Sequence, residues 1–339
     1  MKGRLDMRLA ASLRTGVVVL AALATCSAHA GADEARSWIT RMNSALRTRT
    51  YDGVFVHQMG ERREVMRIVH RVQDGQMVER VASTDGSGRE FLRNGSKWVA
   101  LYPDQRIALV QTRNRSFGFL TALNGVNAGS ERFYAISDAG TTRLQGREAQ
   151  QILLEPRDAL RYGYRFWLDA KTALPLKSQL VSRSGEVIEE ISFISLTLPE
   201  KVADELLKPE VDTTGFRWMR RDVPMHMADF KIAFVPKVEL LPAGFKVRIF
   251  NSAEEEAKAQ GPRTRFIVSD GIAWVSVFIE KGEEGGPAKS AVPGTRADGV
   301  VMMGASAVYV AHMEGYRVTV VGEVPPVTVK SIAEAVRPE

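Results

Sequence analysis

The stretch YGYRFWLDAKTALPLKSQLVSRSGEVIEEISF, Tyr162 to Phe193, decides how the chain folds. In its first segment Tyr162, Tyr164, Phe166 and Leu168 share one face, while Arg161, Arg165 and Asp169 take the other. That period of two marks a strand with one buried face. Asp169-Ala-Lys-Thr172 supplies turn chemistry, because Asp and Thr side chains bond their own backbone. The next segment sets Leu174, Leu176 and Leu180 against Lys177, Gln179 and Arg183. Ser184-Gly185 reverses the chain again. From Val187 to Leu198 both faces are about half apolar, which calls for a bulge or for burial on both sides. Three antiparallel strands therefore present one broad apolar face, and whether a helix or a ligand covers it decides the function.

Similar strands precede this stretch: Tyr51–Val56, Glu64–Val72, Met77–Ala82, Arg89–Arg93, Lys97–Tyr102 and Arg106–Gln111, joined by turns such as Gln73-Asp-Gly75 and Asn94-Gly95. Short turns between such strands make a meander and leave no room for βαβ crossovers. A helix over Asp33–Thr48, with Trp38, Met42, Ala45 and Leu46 at helical spacing, is expected to pack on the sheet. A sheet this long must curl into an open barrel or half-barrel. Asn114 to Asp138 breaks the rhythm, with short helices or apolar flaps at Ser116–Leu123 and Phe133-Tyr134 before strands resume at Thr142 and Arg147–Glu155.

The ends of the chain read differently. Lys2, Arg4, Arg8 and Arg14 precede the apolar run Val17–Ala24, and Ala28-His29-Ala30 offers a small-x-small cleavage site. This pattern predicts a secretory leader over residues 1–30. Thr25 is a poor residue before Cys26 for lipoprotein processing, so cleavage after Ala30 is expected and leaves a chain without a thiol. Ordinary cores must then stabilise it. Four basic residues and Asp6 leave with the leader, which lowers the formal charge from +6 to +3. That mild excess does not indicate nucleic acid.

Residues 199–223 read as a linker, with a short helix over Pro199–Leu207 and a basic cluster of Arg217, Arg220 and Arg221 around Trp218. Strands are expected near Asp229–Val235, Phe245–Phe250, Thr264–Ser269, Ile272–Glu280, Ala307–His312 and Tyr316–Val321, with a loop from Lys281 to Asp298. A closing helix after Pro325-Pro326 carries the stripe Val329, Ile332, Ala333 and Val336. The expected class is α+β and mainly antiparallel β. An open half-barrel over 31–198 is followed by a smaller antiparallel sheet domain over 224–339 with its C-terminal helix.

No catalytic constellation stands out. His57, His70, His226 and His312 have no i, i+4 ligand spacing, and Gly304-Ala-Ser306-Ala-Val308 lacks the second glycine of a nucleophile elbow. Glu189 and Glu190 are strand neighbours that point opposite ways. No cofactor or metal motif is present, and the residues read as those of a binding protein. Trp98, Phe117, Phe119, Leu120, Tyr164 and Phe166 suit either an ordinary core or the wall of a lipid cavity. Arg113 and Arg115 beside the Phe117–Leu120 flap suit an acylated phosphate or a solvated face equally.

Four stretches carry a resemblance. Phe166-Trp-Leu-Asp169 with Leu174-Pro175 and Ser184-Gly-Glu186 resembles the strand–turn–strand signature of periplasmic lipoprotein-carrier-like folds. Leu241-Pro-Ala-Gly-Phe245, Ser269-Asp-Gly-Ile272 with Val275-Ser-Val277, and Val320-Val-Gly-Glu-Val-Pro-Pro326 with Ile332-Ala-Glu334 look like the second domain of the RseB/MucB family. That resemblance covers nearly all of the chain beyond the leader and departs from the family pattern at Arg113–Ser137. It implies a periplasmic negative regulator of sigma-E that binds the periplasmic part of a RseA/MucA-like anti-sigma factor and shields it from proteolysis. Lipopolysaccharide or mislocalised lipoprotein would enter the first domain and release it. A lipoprotein or lipid carrier is the alternative, and a homodimer is compatible with either. The partner-binding candidates are Arg217, Trp218, Arg220 and Arg221.

Overall fold

A computed structural model describes residues 31–73, 75–112, 130–222, 234–253, 263–281 and 299–338. The expected leader, most of the Arg113–Ser137 segment including Phe117, Phe119 and Leu120, and most of the Lys281–Asp298 loop lie outside them.

Helix α1 runs through residues 31–48. Its inward stripe of Ala35, Trp38, Ile39, Met42, Ala45 and Leu46 is buried, as the spacing predicts. Eleven strands follow: β1 (Tyr51–Met59), β2 (Arg62–Gln73), β3 (Gln76–Ser83), β4 (Glu90–Asn94), β5 (Lys97–Tyr102), β6 (Ile107–Thr112), β7 (Tyr134–Leu144), β8 (Arg147–Pro156), β9 (Gly163–Asp169), β10 (Pro175–Val181) and β11 (Val187–Thr197). With β12 (Arg217–Asp222) they form one open sheet in the order β12-β6-β5-β4-β3-β2-β1-β11-β10-β9-β8-β7. The meander is thus two meanders, and β11 joins them by pairing antiparallel with β1. Tyr134, expected in a helix or flap, begins strand β7.

The apolar face of the opening hairpins meets α1. Phe166, Leu168, Leu174 and Leu176 share one core with Trp38, Ile39, Met42 and Phe55. The irregularity expected in the third strand is present twice. The register jumps from Leu180↔Glu189 to Val181↔Val187, and from Val54↔Ser195 to Phe55↔Phe193, leaving Ile194 exposed. Beside the second jump Gly53 is obligatory, since a methyl group there would lie 2.7 Å from the Phe193 ring and from the Ser195 carbonyl oxygen. Two polar residues of the supposed outward face, Arg161 and Asp169, are buried instead. Asp169 caps its turn, accepting hydrogen bonds from the Lys171 and Thr172 amides at 3.1 and 2.9 Å. Arg161 is buried by the C-terminal sheet.

The segment expected as a linker is a strap across the outer face of the large sheet. Val202 and Leu207 close a small core over Val69. Arg71 donates to the Val202 carbonyl at 3.2 Å and to Asp204 at 2.5 Å. Glu90, itself buried, accepts the Glu210 and Val211 amides at 2.9 and 3.1 Å and Arg80 Nε at 2.9 Å. Arg71 thus takes the Val202 carbonyl that a helix would bond internally, and the segment forms only a 3-10 turn, at Asp204–Leu207. The strap then enters the sheet as β12, the one parallel neighbour in this sheet's described pairings. Replacing Glu90 with alanine is expected to cost about 2–3 kcal/mol, because two amides and the buried Arg80 lose their acceptor. Urea denaturation measures the loss, and faster tryptic cleavage after Lys201 would locate it in the strap.

The C-terminal sheet has the order β14 (Lys246–Ala253), β15 (Arg263–Ser269), β16 (Trp274–Lys281), β19 (Tyr316–Gly322), β18 (Ser306–Met313), β17 (Val300–Met303). Helix α2 (Pro326–Ala335) lays Val329, Ile332 and Ala333 against Phe266, Val277 and Val320. Pro326 occupies its first turn, where the missing N–H is no loss. Val336, the last residue of the expected stripe, already belongs to β20 (Val336–Pro338), which pairs with β13 (Phe234–Pro236). Strands β12, β17 and β20 are additions to those expected from sequence.

Candidate functional site

The inner face of the half-barrel ends in a rim built by strand register. Leu154, Tyr164, Leu180, Glu189, Met59 and Arg62 stand directly opposite one another across six strands. One row deeper lie Ile152, Phe166, Ser178, Ile191, His57 and Glu64. The C-terminal sheet docks on the outer row: Ala305, 1% exposed, packs among Tyr162, Leu180, Met59 and Tyr164.

The joint between the two sheets is polar and fully built. Arg161, 0% exposed, donates from Nε to Asp270 Oδ2 at 2.6 Å, and to Asp158 and the Ala243 carbonyl. Its guanidinium lies 4.3 Å from the Phe133 ring centre and 4.8 Å from that of Phe245. Tyr134 donates to Asp270 Oδ2 at 3.3 Å, and Thr328 to the Leu160 carbonyl at 2.7 Å. Burial pushes the Tyr134 phenol well above its ordinary pKa, and the Asp270 charge adds to the shift. Gly244 has φ +86°, and a side chain there would overlap Phe133 and Arg161. The Leu241–Phe245 and Ser269–Ile272 turns singled out in the sequence are therefore the contacts that seat one sheet on the other.

An acidic cluster lies alongside. His57 Nε2 is 2.5 Å from Glu189 Oε1. Glu323, in the middle of the Val320–Pro326 motif, is exposed at the surface. Its carboxyl pKa is raised by crowding that excludes part of its solvent and by the neighbouring Glu189 charge, an effect that solvent screening keeps small. The sign follows directly. Below about pH 4.5 the group is protonated whether the chain is folded or not; above it, ionisation costs more in the folded state. Glu323→Gln is therefore expected to raise the melting temperature relative to wild type at pH 8, an advantage that shrinks towards pH 4. An equal difference at both values would contradict this assignment. Glu190 points the other way, to Lys177 Nζ at 2.8 Å and Gln179, so the adjacent glutamates form no catalytic pair.

Between β1, β2 and β4 the inner face leaves a pocket of about 190 Å³ lined by His57, Met59, Arg62, Glu64, Met66, Arg89 and Phe91. Its walls are largely apolar, with Arg62 and Arg89 paired to Glu64, the latter at 3.0 Å. Burial raises the Glu64 pKa, but hydrogen bonds and charge from Arg89 and Arg62 outweigh it and hold the carboxyl below its usual value. Among the described residues no group of three or more His, Cys, Asp or Glu is placed to hold a metal ion.

The residues singled out from sequence are scattered relative to this pocket. Tyr164 stands in the rim row, and Phe166 is 3% exposed in the core with α1. Trp98 is on β5, its ring centre 5.1 Å from the Arg93 guanidinium carbon. Phe117, Phe119 and Leu120 lie outside the described residues. The basic cluster is on β12, where Trp218 and Arg220 occupy one face and Arg217 the other. Trp218 is 55% exposed. Sequence reasoning passed over Met59, Met66 and Phe91. Their parity with Tyr51 and Phe55 along paired strands was the available signal.

The chain matches the MucB/RseB N-terminal domain model over residues 34–211 and the MucB/RseB C-terminal domain model over residues 234–337. The sigma factor AlgU regulatory protein MucB of Pseudomonas aeruginosa is 29% identical over 332 residues, covering 95% of this chain and 96% of the relative. The sigma-E factor regulatory protein RseB of Salmonella typhimurium is 24% identical over 329 residues, covering 92% and 93%. Among solved structures, a complex of Pseudomonas aeruginosa MucA and MucB matches with TM-score 0.68 at 25% identity, covering 90% of this chain and 99% of that one.

Proposed function

Because the chain belongs to the MucB/RseB family, we propose that it is a periplasmic regulator of a sigma-E-type envelope stress response. In this reading it binds the periplasmic domain of a RseA/MucA-like anti-sigma factor and protects that domain from regulated proteolysis. It has no catalytic role. Lipopolysaccharide or mislocalised lipoprotein releases it. The observation that carries the reading is the match of both halves, in order and nearly end to end, to relatives named as sigma-factor regulators. A solved relative that holds MucA adds support.

Residues 31–198 are assigned the lipid-sensing role and 224–339 the larger share of partner binding, with 199–223 between them. An inner face that is apolar beyond the reach of α1 suits an acyl chain, and the exposed residues of β12 suit an acidic partner. Release by ligand requires only that the ligand bind the partner-free state more tightly than the partner-bound one.

Titration calorimetry with the periplasmic domain of MucA tests the first step. Binding below about 1 µM, or −8.2 kcal/mol, is expected, and folded protein that shows no heat at tens of micromolar would sink the reading. Joint replacement of Arg220 and Arg221 by glutamate is expected to weaken binding about tenfold or more at low salt, with less effect at high salt.

A further inference from the structure

Among the described residues the large sheet has two open edges, β7 and β12, and they are built differently. The β7 edge is broken by a bulge. Its register shifts between Asp138 and Thr141, where Gly140 has φ +88° and donates its amide to Asp138 Oδ1 at 2.7 Å. Bulges of this kind keep other chains from pairing with an edge. The β12 edge has no such break: it pairs with β6 from Arg217 to Asp222 without a shift in register. It also leaves Trp218 and Met219 exposed, one on each face. Charged residues alone would protect an edge, whereas an indole and a thioether in water do not.

Strand β12 is held in place without a partner. Upstream, Glu90 fixes the amides of Glu210 and Val211. The Arg217 amide then donates to the Arg106 carbonyl at 2.8 Å, with Arg106 at φ +49° in the turn before β6. Backbone groups alternate sides along a strand, so residues 217, 219 and 221 bond β6. Trp218 turns its N–H and C=O to the open side, where no described residue takes them.

The side chains set the chemistry of an added strand. Residues directly opposite one another in paired strands share a face. Against Arg217, Trp218, Met219 and Arg220 the complement reads acidic, apolar, apolar, acidic, in either strand direction. A second copy fits poorly: β12 holds three arginines and one aspartate, and two such strands would bring like charges together.

We propose that the open edge of β12 takes an extended acidic segment of the anti-sigma factor's periplasmic domain as an added strand, with that pattern of side chains. This deepens the partner-binding reading above and rests on it, naming the surface and the mode of recognition.

The experiment uses the full chain, labelled with 15N-tryptophan, and the MucA periplasmic domain. The Trp218 amide signal is identified by its loss in Trp218→Thr. Its hydrogen exchange in the wild type is expected to slow about tenfold or more at saturating MucA domain, because the added strand takes that N–H. Two variants then separate backbone from indole. Both lack the ring, but Trp218→Thr keeps the outward N–H and Trp218→Pro removes it, at an edge position that tolerates proline. Calorimetry should show binding about threefold weaker for Trp218→Thr and about tenfold weaker again for Trp218→Pro. The exchange measurement decides whatever proline does to the fold. A Trp218 amide that exchanges as fast with bound MucA domain as without it, or equal affinities in the two variants, would overturn the strand-addition site and leave the regulator reading standing. No binding to the wild-type chain would overturn both. Exchange that slows with the chain's own concentration, without MucA, would overturn the assignment to a partner in favour of a second copy.

Discussion

Replacing Asp270 with alanine is expected to destabilise the chain by about 3–5 kcal/mol, the cost of leaving one partner of a buried ion pair behind. Arg161 is wholly buried, and Asp270 Oδ2 receives both its Nε and the Tyr134 hydroxyl. The other carboxylate oxygen accepts the Ile272 and Ala273 amides at 2.9 and 2.8 Å, which shapes the turn that meets the half-barrel. Losing this carboxylate therefore strips the joint and the turn together. Thermal unfolding should change from one transition to two, as the small sheet stops reporting on the large one. Asp270→Asn keeps the acceptor for the turn amides but not the charge, so it should fall between alanine and wild type. A single transition and a loss under about 1 kcal/mol in Asp270→Ala would show that the joint does not couple the two sheets.

The second large effect is at Phe166. Its ring lies parallel to Tyr164, centres 6.1 Å apart, in the core that α1 completes. Truncating such a phenylalanine to alanine costs about 3–5 kcal/mol, and aspartate adds an unpaired buried charge. Phe166→Asp should therefore abolish cooperative folding of the half-barrel, seen as loss of the near-UV circular dichroism signal, while Phe166→Leu should fold. Position 166 thus reports on the core; Met59, Met66 and Phe91 are where ligand response is sought.

These two residues also mark what the sequence made legible. Phe166 was readable as inward because strand alternation is local, and so were its turn at Asp169–Thr172, the Asn94-Gly95 hairpin and the helical stripes of α1 and α2. The occupant of the inward face was not readable. α1 comes from the far end of the chain, and the β1–β11 closure pairs Asp52 with Thr197. Arg161 looked solvent-facing by the same parity that placed Tyr162 inward, yet its partner Asp270 is more than a hundred residues away. The strap is a similar case: Glu90 and Arg71 hold its backbone through side chains that no local pattern announces. Family motifs compensated in part, since the turns they identify at Leu241–Phe245 and Ser269–Ile272 prove to be the seats of the joint.

The pocket was missed for a related reason. Met59 and Phe91 are 32 positions apart and come together only after β1, β2, β3 and β4 have paired in register. The basic residues of β12 were visible as a cluster, but strand geometry divides them between two faces. Any partner that engages all of them must reach around the sheet edge.

The central claim is that the chain shields an anti-sigma factor and yields it on an envelope-derived signal. The direct measurement is the rate at which the initiating periplasmic protease cuts the MucA periplasmic domain, with and without a stoichiometric amount of this protein, and again after adding lipopolysaccharide. Cleavage slowed at least tenfold by the protein and restored by lipopolysaccharide is the predicted result; cleavage at the same rate in all three mixtures, with the protein folded, would contradict it.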